Sequence, residues 1–129
     1  MRSWAIAAVF SLTCVISSAS AEELVQRSEL NRAPLTGVEG MEVIVSKLVL
    51  QNGGRIVLHT HPGDEHAVIV KGGKVELPNG KIVDFADDTP MFFPEGPAHG
   101  GVTSRNETPI IIYTTHIVRA GEPLVTIAE

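Results

Sequence analysis

"GRIVLHTHPGDEHAVIVKGG", residues 54–73, sets two histidines one residue apart and a glutamate shortly after, in a run otherwise dominated by valine, isoleucine and glycine. Burying imidazoles among such residues is unfavourable unless each nitrogen finds a partner. The stretch therefore asks for a proton donor, a hydrogen-bond network or a metal. In an extended chain, side chains two positions apart share a face. His59 and His61 thus project together, while Leu58 and Thr60 point the other way. Pro62-Gly63-Asp64 turns the chain, and a tight reversal there brings the Glu65 carboxylate back beside the imidazole pair. A fourth polar group comes from "FPEGPAHGG", residues 93–101, where His99 follows a bend rich in proline and glycine.

Outward from these residues the chain keeps the period of strands. Met41–Leu50, Arg55–His61, Glu65–Lys71, Lys74–Leu77, Lys81–Phe85, Met91–Phe93, Pro109–Val118 and Leu124–Ala128 are short apolar or alternating runs rich in valine and isoleucine. Asn52-Gly53-Gly54, Pro62-Gly63-Asp64, Gly72-Gly73, Pro78-Asn79-Gly80 and Gly100-Gly101 separate them with turn chemistry. No stretch carries a helical stripe. The expectation is an all-β sandwich or barrel of antiparallel strands, with Glu22–Ala33 as a lead-in that can supply an edge strand.

The first 21 residues read differently. Met1-Arg2-Ser3 is a short positive start, Trp4–Ile16 an apolar run, and Ala19-Ser20-Ala21 a small-residue cleavage pattern, which together predict a secretory signal peptide over residues 1–21. A membrane span needs about 20 apolar residues, and the serines from Ser17 onward end this run too early. Cleavage leaves 108 residues, the size of one domain. The single cysteine, Cys14, departs with the signal, so neither a disulfide nor a thiolate ligand is expected in the exported chain. Nine Lys/Arg then face fifteen Asp/Glu, a net charge of −6 with neutral histidines. Such a surface repels nucleic acid and anionic membranes.

The motifs resemble those of the cupin superfamily, and of its small, single-domain, cupin type-2-like members. The family's first motif, G-x5-H-x-H-x3-4-E-x6-G, is met by Gly53, His59, His61, Glu65 and Gly72. Its second, G-x5-P-x-G-x2-H-x3-N, is met at Pro94, Gly96 and His99, but Asp88 stands where the first glycine would be and Thr103 where the asparagine would be. Those departures touch backbone positions, not ligands. Residues 73–87 separate the motifs, a short spacing similar to that of compact bacterial cupins. The resemblance covers roughly residues 40–119 and assigns residues 22–39 to a lead-in and 40–129 to a cupin domain.

What the resemblance implies is a jelly-roll β-barrel with one divalent transition metal in its mouth, bound by His59, His61, Glu65 and His99. Three imidazoles and a carboxylate suit Zn, Cu, Mn, Fe or Ni and leave an open position for substrate. The implied function is an exported, periplasmic or secreted, metal-dependent enzyme acting on a small oxygen-bearing substrate, as a dioxygenase, decarboxylase or isomerase, with Glu65 also moving protons. The alternative is a non-catalytic module that binds a metal or small ligand. His66 is expected to face away from the ligands, Arg105, Tyr113 and His116 to be structural, and Phe85, Phe92 and Phe93 to pack the barrel. Apolar residues on both faces of Met41–Leu50 and Pro109–Val118 predict a homodimer.

Overall fold

The structure is a computed structural model that describes residues 24–129; the expected signal peptide lies outside the described residues. Eleven strands run in chain order: β1 (Val25–Pro34), β2 (Met41–Leu50), β3 (Arg55–Ile56), β4 (His59–Thr60), β5 (Gly63–Lys71), β6 (Gly73–Glu76), β7 (Ile82–Phe85), β8 (Thr89–Phe93), β9 (Val102–Ser104), β10 (Ile110–Arg119) and β11 (Thr126–Ile127). No helix occurs among the described residues.

Two long strands organise the rest. In β2, Ile44, Ser46, Leu48 and Leu50 are buried and alternate with half-buried Val43, Val45, Lys47 and Val49. β10 pairs with it antiparallel, setting Ile110 opposite Leu50, Thr114 opposite Ser46 and His116 opposite Ile44 on the same inner face. The full sheet has the order β1-β2-β10-β5-β8, a second sheet β3-β9-β6-β7, and β11 pairs with β4. Leu50, Ile69 and Ile110 of the first sheet meet Val75 of the second in the core, with Phe85, Met91 and Ile112 packed against them. Every pairing is antiparallel. The result is the jelly roll expected from the sequence, with its hydrogen bonding divided among three sheets rather than run around one closed cylinder.

Three local differences from the sequence pattern have physical causes. Arg55–His61 is not one strand, because its halves take different partners: β3 joins β9, whereas β4 joins β11 and His59 bridges to His99. β9 was not anticipated; three residues after Gly100-Gly101 are too few to show a period. Phe92 was expected inside, but it lies on the outer face of β8, 53% exposed and stacked on His66 with ring centroids 4.7 Å apart. The lead-in forms β1, an edge strand on β2 with a bulge between Glu29 and Asn31. Asp88, at the missing motif glycine, has φ 63°, the only positive φ among the described non-glycine residues. Aspartate tolerates this left-handed conformation better than most residues, so it can stand where the motif has a glycine.

Candidate metal centre

His59 ends its strand pairing with His99 through two backbone hydrogen bonds of 2.9 Å, so the two sequence motifs are joined at the ligands themselves. Glu65 enters from β5, whose close approach to β10 depends on Gly63. A Cβ there would stand 2.1 Å from the Ile117 carbonyl oxygen. His59, His61 and Glu65 are buried, and His99 nearly so. One donor atom from each of the four lies within 4.8 Å of the others, and the cluster could hold a metal ion. Donors held at about 2.0–2.2 Å by one ion lie at most about 4.4 Å apart, so small shifts close the set.

The tautomers are fixed from behind. His59 Nδ1 donates to the Val57 carbonyl at 2.7 Å and His61 Nδ1 to the Leu124 carbonyl at 2.6 Å. Each neutral ring then directs an Nε2 lone pair inward, and the two Nε2 atoms stand 3.1 Å apart. Glu65 Oε2 lies 3.1 Å from His61 Nε2 and 2.8 Å from His99 Nε2. Converging lone pairs and a carboxylate repel one another unless protons or a cation lie between them. Carbonyl-oriented imidazoles of this kind are a usual support for metal ligation, so the residues fit a divalent ion. Phe93 stacks on His99 with ring centroids 4.2 Å apart and holds the fourth ring in place.

Electrostatics favour the ligand forms. Burial pushes the Glu65 carboxyl up, but the imidazoles of His61, His116 and His99 around it more than offset this and hold it at about 2. It is therefore anionic at neutral pH. Burial lowers the pKa of His59 against the opposing Val57 hydrogen bond.

His116 joins this centre, where sequence reasoning placed it among structural residues. It sits directly across the strand pair from Glu65. Its ring is fully buried, 4.4 Å from that of His61, with Nε2 3.5 Å from Glu65 Oε1 and no hydrogen-bond partner for either nitrogen among the described residues. Burial drives its pKa down to about 4, with the Glu65 charge opposing. Arg105 pairs with Glu76 and Tyr113 faces outward, both away from the site. His66 lies on the outer face as expected.

Beside the four residues opens a cavity of about 250 Å³. His59, Glu65 and His99 form its polar wall; Leu48, Ile56, Val75, Phe85, Met91 and Ile112 are among its apolar residues, and Arg27 reaches it from β1. Phe85 and Phe93 thus line the cavity as well as pack the barrel.

No family model matches the sequence, and no curated protein matches it. Solved structures do. A cupin-2 domain protein of Rhodospirillum rubrum superposes with a TM-score of 0.57 at 14% identity, over 82% of this chain and 66% of that one. The fold is the cupin fold. The polyketide cyclase RemF of Streptomyces resistomycificus is similar at TM-score 0.53 and 15% identity, covering 89% and 87% of the two chains. The DMSP lyase DddQ of Ruegeria pomeroyi is similar at 0.59 and 15%, covering 92% of this chain and 59% of the lyase. The chain therefore spans about two thirds or less of two of these three neighbours.

Proposed function

We propose that this cupin is an exported protein that binds one divalent transition metal through His59, His61, Glu65 and His99 and acts on a small oxygen-bearing molecule held in the adjoining cavity. The observation that carries this reading is the convergence of two tautomer-locked Nε2 lone pairs, those of His59 and His61 3.1 Å apart, beside an anionic carboxylate. A bound ion of this class supplies Lewis acidity toward a substrate oxygen and, for Fe, Mn, Ni or Cu, redox chemistry with dioxygen. The chain itself orients two imidazoles through the Val57 and Leu124 carbonyls and excludes water with apolar walls. Glu65 is the residue best placed to accept and return a proton through its Oε1. Fold alone does not choose the reaction, since the same architecture carries a cyclase and a lyase.

A specific observation supports the second reading, a binder without turnover. Among the residues lining the cavity, the only groups with an ordinary acid–base role are His59, Glu65 and His99, the proposed ligands themselves. A panel of catechols, flavonols, oxalate and keto-acids, assayed with metal-reconstituted protein, separates the two. Turnover of any member supports the enzyme, and none across the panel supports the binder.

Elemental analysis tests the metal directly. We expect one equivalent per chain in the wild type and a large loss in His61→Ala; equal content in both overturns the reading. Chelation should also lower the melting temperature, because binding to the folded state adds RT ln(1 + [L]/Kd) to stability. For protein recovered from its native compartment we propose mainly Zn or Cu. A leader with Arg2 and no twin-arginine pair implies export unfolded, and the donor set offers little against the Irving–Williams order. Predominant Mn or Fe would overturn that part alone. We propose in addition that two copies pair through the outer face of the five-stranded sheet.

A further inference from the structure

Arg27 is an unusual residue to find on the wall of an apolar cavity. It sits on the edge strand β1, opposite Leu48 in the register with β2, on the inward-facing side of the sheet. Arg27 is exposed at the open edge of the sheet, while its Nη1 donates to the buried Thr114 hydroxyl at 3.1 Å and so reaches the cavity wall. Arg32, Arg105 and Arg119 each pair with glutamates. Among the described residues, no carboxylate oxygen lies within 4.0 Å of Arg27. A guanidinium at the edge of an apolar cavity, with one hydroxyl as its side-chain partner, keeps donors free for an anionic ligand.

The register places that cation relative to the metal centre. Thr114 pairs with Ala67, and His116 pairs with Glu65. These pairs are two residues apart along the same inner face, which is on the order of 7 Å at strand spacing. The cavity holds about 250 Å³, room for roughly eight waters at about 30 Å³ each, and so for a molecule of similar bulk. Its walls between the two polar ends are aliphatic and aromatic.

We propose that Arg27 is the anion-binding end of this pocket and that the ligand is a small organic monocarboxylate with an apolar body. Its carboxylate pairs with the Arg27 guanidinium, and an oxygen on the order of 7 Å away reaches the wall formed by His59, Glu65 and His99. This names the substrate class of the site proposed above and rests on that reading for its second end only.

Calorimetry with 4-hydroxybenzoate and its neutral analogue 4-hydroxybenzamide tests it. Wild-type protein should bind the carboxylate at least about tenfold more tightly than the amide, the increment of one charge-assisted hydrogen-bonded contact. Arg27→Met should lose that preference while keeping its affinity for the amide, its metal content and its melting temperature, and Arg27→Lys should recover part of it. Equal affinity for the two probes in the wild type, no binding of either, or a preference that survives in Arg27→Met overturns the proposal. Metal content measured on the same samples keeps the two readings apart. A metal-loaded protein without the preference sinks only the role of Arg27. A metal-free protein that still shows an Arg27-dependent preference sinks only the metal centre.

Discussion

Among the single residues, His116 is the one whose chemistry was hidden. Its neighbours in the sequence are threonine and isoleucine, and nothing local distinguishes it from a core position; only the pairing of β10 with β5 sets it against Glu65. His59, His61 and Glu65 were legible because their spacing acts through strand geometry within a few residues. Arg27 was not, since β1 is exposed along nearly its whole length and shows no alternation. Because both nitrogens of His116 lack partners, an apolar side chain of similar bulk leaves no stranded hydrogen-bonding group on the protein. His116→Leu should therefore leave the stability of metal-free protein within about 1 kcal/mol of wild type. Thermal melts in chelator check this. A fall of more than about 8 °C would show that a nitrogen does have a partner, such as an ordered water.

The strands themselves were largely readable, because valine and isoleucine at period two are dense in the long ones. β2 was expected at the bounds it has, and β10 is displaced by a single residue. What local pattern could not reveal was partner choice, which is why Arg55–His61 looked continuous and β9 passed unnoticed. The pairing of β5 with β10 depends on Gly63, whose missing side chain lets the Ile117 carbonyl approach. Gly63→Ala forces a Cβ into the backbone of the neighbouring strand. Neither strand can yield without moving Glu65, two residues on, or His116. A loss of at least about 2–3 kcal/mol is expected, or roughly 10 °C or more in melting temperature, together with weakened metal binding. Wild-type melting and metal content in this variant would contradict the close approach.

For the whole molecule, the outer face of the five-stranded sheet is more apolar than a free surface usually is. Val43, Val45, Val49, Ile111 and Ile117 are only half-buried there, with Val68, Tyr113 and Phe92 exposed at 40%, 39% and 53%. Patches of this extent are commonly covered by a partner, and a second copy presents the same face. Light scattering at micromolar concentration should report a dimer. Val68 and Tyr113 oppose each other across β5 and β10, so Val68→Glu should yield monomers that keep their metal, its charge lying on the face opposite Glu65. A monomeric wild type refutes the pairing, and a dimeric Val68→Glu variant refutes this face.

The bond from His61 Nδ1 to the Leu124 carbonyl spans 63 residues of chain. At about 5–20 residues per second, the ribosome makes His61 roughly 3–13 seconds before the oxygen that fixes its tautomer. Until that oxygen is beside it, the imidazole can present either nitrogen. The donor set acquires its final shape only when the last strand docks on β4, so assembly of the site is a late event in the life of each molecule.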